Sequence, residues 1–170
     1  MMKFDRRVQL SLSVMKRAIV MDQAGSRLLT SDRLSTYFRF PGIGTWHRAL
    51  IDTGSPLTVP PETVWKSHTD VIAWIGYPWG EEPPAWLRSD NGLGGGIFRC
   101  DLALIQISFF DDDLRCLGPR AIYAKCAHDA GALPVSLIGL GGMALENRRL
   151  ELEYTSGQAW LSEVEESMLR

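Results

Sequence analysis

The sequence predicts an all-β domain. Short apolar stretches recur with Gly, Pro or Asn between them, residues 97–110 have strand character throughout, and strand and helix patterns nowhere alternate along the chain.

In order, residues 1–30 read as an N-terminal extension ending in the turn-like DQAGS at 22–26, and the domain proper is expected over 31–161. STYFRF (35–40) stops at Pro41-Gly42 and WHRALI (46–51) follows Gly44, which gives two strands joined by a tight turn. Pro60-Pro61 precedes ETVWKSH, a short helical turn that proline starts. The Trp- and Pro-rich stretch 71–90 is too broken for a helix and reads as a loop with a strand at each end. Asn91-Gly92-Leu93-Gly94-Gly95-Gly96 is a flexible tip. In 97-IFRCDLALIQISFF-110 the polar positions change parity, since Arg99 and Asp101 are odd while Gln106 and Ser108 are even. A strand with period two that exchanges its wet face midway passes between two environments. Residues 114–127, 133–140 and 148–161 supply further strands, about eight short ones in all. An acidic, helix-prone tail, SEVEESMLR, occupies 162–170.

A chain of 170 residues supports one good core. The apolar fraction of 45% and charged fraction of 22% are those of a globular protein rather than a disordered one. A net charge of −2 with scattered basic residues offers no field for nucleic acid or for an anionic membrane. Cys100, Cys116 and Cys126 are odd in number and lack CxxC spacing, so they read as small buried hydrophobes in a reducing compartment. His47, His68 and His128 are far apart and lack ligand spacing; they read as surface or satisfied residues, and neither a metal nor a cofactor is expected. The N-terminal apolar stretches are broken by Ser, Lys and Arg, which fits neither a signal core nor a spanning helix. A cytoplasmic location is the resulting expectation.

The chemistry lies in 49-ALIDTGSPLTVPP-61. Three apolar residues bring a buried strand to Asp52, and Gly54 permits a turn that other residues resist. The carboxylate is presented at the end of a core strand. A turn-capping aspartate with Ser55 and Thr58 as neighbours would sit in the same way.

Leu50-Ile51-Asp52-Thr53-Gly54-Ser55 resembles the active-site signature of the aspartic peptidases. Leu137-Ile138-Gly139 stands where that fold repeats an apolar pair and a glycine to close a crossed loop below the catalytic residue. The Gly-rich tip between them stands where the flap hairpin belongs. The ordered set, over about residues 35–160, is similar to the single-domain retropepsins and more closely to their bacterial relatives. The resemblance implies a closed acid-protease barrel with a flap hairpin and one or two short helices. It also implies an aspartic endopeptidase acting on extended polypeptides, with Asp52, Thr53 and Gly54 catalytic and Ser55, Gly94, Gly95 and Gly96 near substrate.

Such enzymes use two aspartates that share a proton, because two adjacent carboxylates cannot both ionise. The second candidate in this chain, Asp129-Ala130-Gly131, lacks the hydroxyl residue and the apolar lead-in and reads as a turn. One motif per chain implies a homodimer in which Asp52 meets its own mate. Thr53 takes, by match, the threonine role that locks the two loops across the dimer, and Ser55 is placed to donate a hydrogen bond to the carboxylate. A catalytically idle peptide-binding domain of the same fold is the rival reading.

Gly139-Leu140-Gly141-Gly142-Met143-Ala144 also fits the dinucleotide-binding pattern GxGxxA. That pattern requires a helix and a further parallel strand, and the chain downstream has little room for them. Against the retropepsin pattern, Leu140-Gly141-Gly142 delays the expected helix to near Met143. Trp65, Trp74, Trp79 and Trp86 serve either core or loop packing or apolar subsites.

Overall fold

The computed structural model describes residues 6–23, 25–52, 54–76, 82–91, 97–128, 135–139, 141–142, 144, 148–153 and 155–164. The chain is mostly β. Strands β1 (Arg7–Asp22) and β2 (Gly25–Arg39) form a long antiparallel hairpin that turns at Gly25, whose φ of 117° suits glycine. β3 (His47–Ile51) pairs antiparallel with β2 and carries the chain to Asp52. Then come α1 (Glu62–Trp65), a 3-10 helix (Lys66–Val71), β4 (Ile72–Trp74), α2 (Ala85–Arg88) and β5 (Ser89–Asn91). The long β6 (Ile97–Phe110) and β7 (Cys116–Ala127) follow, with β8 (Ser136–Ile138), β9 (Arg148–Glu153) and β10 (Gln158–Glu163) completing the sheet.

The sheet runs β4-β6-β2-β1-β10-β9, with β3 branching from β2, β8 from β3, and both β5 and β7 from β6. The expected closed barrel is therefore not what forms: among the described residues β4 and β9 stand at opposite ends of an open path. β9 interleaves the charged Arg149, Glu151 and Glu153 with the exposed Leu150 and Leu152, and charged side chains of this kind discourage further pairing at a sheet edge. The boundary expected at residue 30 falls inside β2. Val8 and Leu10 of β1 lie in the core, at 0% and 2% exposure, and β1 pairs with β10 from Arg7↔Ser162 to Leu10↔Ala159.

Both helical turns follow prolines. Pro61 accepts the N–H groups of Val64 and Trp65 at 2.9 and 3.1 Å, and Pro84 accepts those of Leu87 and Arg88 at 2.9 and 3.3 Å. The stretch 71–90 does have a strand at each end, but α2 within it goes beyond the sequence reading; its signal was Pro83-Pro84 ahead of AWLR.

β6 exchanges faces as its polar pattern requires. Phe98 and Cys100 are buried in a small cluster with Val59, Ala127 and Leu137, whereas Ala103, Ile105, Ile107 and Phe109 enter the main core. The buried parity switches between positions 100 and 103. Ser108 departs from the pattern, being buried beside a register shift between Ile107 and Phe109.

The three thiols are free and buried, as the sequence suggests. Two of the histidines, remote in sequence, meet: the Nε2 atoms of His47 and His68 lie 3.2 Å apart against the Phe40 ring. One ring must donate and the other accept, so both cannot be charged. Desolvation, and secondarily the His68 charge, hold His47 below the ordinary imidazole value of 6.5. The unfolded chain then binds the proton more readily. This contribution to stability is present in full above pH 6.5 and is lost as pH falls below it toward the lowered value. The urea midpoint is expected to drop between roughly pH 7.5 and pH 5, and His47→Gln is expected to flatten part of that drop relative to the parent chain.

Candidate active site

β3 reaches Asp52 with one face in the main core, Ala49 and Ile51 being 0% and 6% exposed there, and with β2 on one edge and β8 on the other. β8 runs parallel to it, pairing Leu50 with Leu137 and Ile51 with Ile138. The Asp52 N–H continues this ladder by donating to the Ile138 carbonyl at 2.9 Å. The half-buried side chain is then turned back on its own loop: Oδ1 accepts the Gly54 N–H at 3.0 Å, while the Ser55 N–H donates to the Asp52 carbonyl at 3.2 Å. Among the described residues only Oδ1 is engaged, which leaves Oδ2 to hold a water or a second carboxyl group.

Ser55 does not play the expected part. Its hydroxyl is buried and donates to the Leu57 carbonyl at 2.7 Å. A hydroxyl has one proton to give, so the donation to Asp52 is not made, and the backbone N–H of Gly54 takes that place. Ser55 is 8% exposed, which leaves little of it for a substrate to touch. Thr53 and the glycines 94–96 lie outside the described residues, as do Asp129, Gly131 and Met143.

After the Asp52 turn the chain crosses over the end of β8. Val59 and Leu137 exchange both backbone hydrogen bonds, at 2.8 and 3.0 Å, so β8 has β3 on one side and residue 59 on the other. Gly141 N–H donates to Pro56 at 2.9 Å, and Lys125 N–H to Thr58 at 2.8 Å. The crossing is tight. A Cβ on Gly139 would collide with the Leu57 carbonyl and would stand 2.7 Å from the Ser55 oxygen, both backbone atoms. One on Gly141 would collide with the Pro56 oxygen. These close approaches account for two glycines of the GxGxxA pattern without a nucleotide. The next described element, β9, pairs antiparallel with β10, where a nucleotide fold needs a helix and a parallel strand.

The expected flap position is a hairpin. β5 pairs antiparallel with the start of β6 from Ser89↔Arg99 to Asn91↔Ile97, on either side of residues 92–96, which lie outside the described residues. Its base is fastened by a residue that sequence reasoning passed over. Lys125 of β7 is 2% exposed, and its Nζ donates to the carbonyls of Trp86 and Ser89 at 2.9 and 3.3 Å and meets the Asp90 carboxylate at 2.5 Å. A lysine inside the apolar run IYAKCA was the available signal, because a buried ammonium requires a partner.

An open cleft of about 540 Å³ lies beside this base, lined by Trp74, Ile75, Leu87, Arg88, Arg99 and Asp101 among others, and Asp52 is not part of its lining. Trp74 and Trp86 are exposed, whereas Trp65 packs in the core and donates its indole N–H to the Ala127 carbonyl at 2.6 Å. Cys100 also borders the cleft, but burial pushes its thiol up to about 12. It is held as the unreactive thiol, although His128 and Asp101 make a hydrogen-bonded pair nearby at 2.6 Å. Among the described residues no group of three or more metal-ligating side chains occurs, and no helix is long and apolar enough to cross a membrane.

No family model matches the chain, and no curated protein matches it.

Proposed function

We propose that this chain is a homodimeric aspartic endopeptidase of the retropepsin type. The observation that carries the reading is the crossed loop: Asp52 leaves β3, its N–H bonds to Ile138 on parallel β8, and residues 55–59 pass across Gly139 to the far side of β8. That is the placement the resemblance requires of an Asp-Thr-Gly turn and an apolar-apolar-Gly triplet. Each chain supplies one such carboxylate, and Asp52 of a second copy supplies the other. The ionised member takes a proton from a water held between them as the water oxygen attacks the peptide carbonyl. The protonated member gives its proton to the carbonyl oxygen. Collapse of the resulting intermediate expels the amine, which leaves with a proton. The β5–β6 hairpin covers an extended polypeptide held by strand-like backbone bonds.

The test is digestion of a peptide library across roughly pH 3 to 7 by the parent chain and by Asp52→Asn, with sedimentation to count chains. Asp52→Asn keeps the Gly54 hydrogen bond through its side-chain oxygen but neither gives nor takes a proton at these pH values, so cleavage is expected to fall at least about 1,000-fold with the fold intact. Equal digestion by both proteins sinks the proposal. Peptide binding without cleavage by a confirmed parent dimer assigns the chain to the idle, peptide-binding alternative.

A further inference from the structure

We propose that the distal part of the β1–β2 hairpin is a dimerisation arm that lies along a second copy of this chain, an inference that rests on the pairing of Asp52 with its mate. Among the described residues, positions 13–22 of β1 and 25–33 of β2 pair only with one another. A two-stranded ribbon by itself is marginal in water and needs a surface to pack on. Ile19 and Met21 stand 74% and 77% exposed on it, and the register sets Ile19 opposite Leu28 and Ala18 opposite Leu29.

The register also fixes where the ribbon points. β2 and β3 are antiparallel with Ser35 opposite Leu50, so Leu34 and Arg33 come level with Ile51 and Asp52, and residues 25–32 run on past them. The ribbon therefore overhangs the end of the sheet that bears the Asp52 turn. That is the end a second copy must approach if two carboxylates are to meet. At about 3.3 Å per residue the overhang extends roughly 25 Å. A domain of this length has a radius of gyration of roughly 15 Å, so the arm is long enough to cross a two-fold axis and lie on the partner. The symmetry makes the embrace reciprocal.

The test compares sedimentation of the parent chain and of Ile19→Asp/Met21→Asp over a range of concentrations. Both side chains are exposed, so the thermal midpoint of the isolated chain is expected to hold. The parent is expected to sediment as two chains and the variant to dimerise at least about 100-fold more weakly. Its peptide cleavage is expected to disappear at low protein concentration and return at high. A variant that dimerises as tightly as the parent overturns the arm and leaves the Asp52 pairing standing. A parent that remains a single chain at every concentration, including one that instead floats with anionic vesicles, overturns both.

Discussion

Gly139→Ala is expected to destabilise the fold by about 3 kcal/mol or more and to abolish peptide cleavage. The methyl group has nowhere to go. It meets the Leu57 carbonyl and, at 2.7 Å, the Ser55 oxygen, which are backbone atoms that no rotamer change can move. Relief requires the 55–59 segment to lift from β8, which breaks the paired Val59 and Leu137 hydrogen bonds and the Gly141 bond to Pro56. The same displacement carries away the loop that orients the Asp52 carboxylate. Urea denaturation read by tryptophan fluorescence measures the stability, and the peptide-library assay measures the activity. Gly54→Ala is the informative control. Its nearest contact would be Asp52 Oδ1 at 3.4 Å, an ordinary van der Waals distance, so its stability cost should be the smaller of the two. Equal costs at both positions would show that the crossing is not the tight point.

Lys125→Met is expected to cost about 3 kcal/mol. The ammonium is buried with the Asp90 carboxylate and two carbonyls around it, and the methionine fills the volume of the stem but leaves those acceptors without their donor. Asp90 keeps 24% exposure, so water softens the penalty and holds it toward the lower end for a broken buried pair. Lys125→Met/Asp90→Asn is expected to recover at least about 1 kcal/mol, because the uncompensated charge is then gone. Amide hydrogen exchange supplies the second readout: protection over 86–90 should fall in Lys125→Met while protection in the β6–β7 ladder is retained. Additive costs in the double variant would mean that Lys125 and Asp90 act independently.

Much of the fold could be read in the sequence where a local pattern has one physical meaning. Period two with a parity change placed the switch in β6 between its two clusters, and Pro60-Pro61 marked the helical turn at α1. Gly139 was legible only through the resemblance, which sets an apolar pair and a glycine where the crossed loop closes. What remained hidden depended on partners distant in the chain. Nothing near residue 30 shows that β1 pairs with β10, and nothing near His47 shows His68 beside it. Barrel closure was carried over from the resemblance alone, and register cannot be read from one strand. The Ser55 expectation failed for a related reason: a hydroxyl beside a carboxylate has two nearby acceptors, and the Leu57 carbonyl is the one the turn places within reach.

The parallel pairing of β3 with β8 has a kinetic consequence. Leu50 finds Leu137 only after about half of the chain has closed into a loop, and such remote contacts form slowly because the entropy of closure must be overcome before they reward it. During synthesis Asp52 emerges before β4 to β7 and lacks Ile138 until β8 has followed them. A nascent chain thus carries its acidic turn unassembled, and maturation of the site is timed by the arrival of β8.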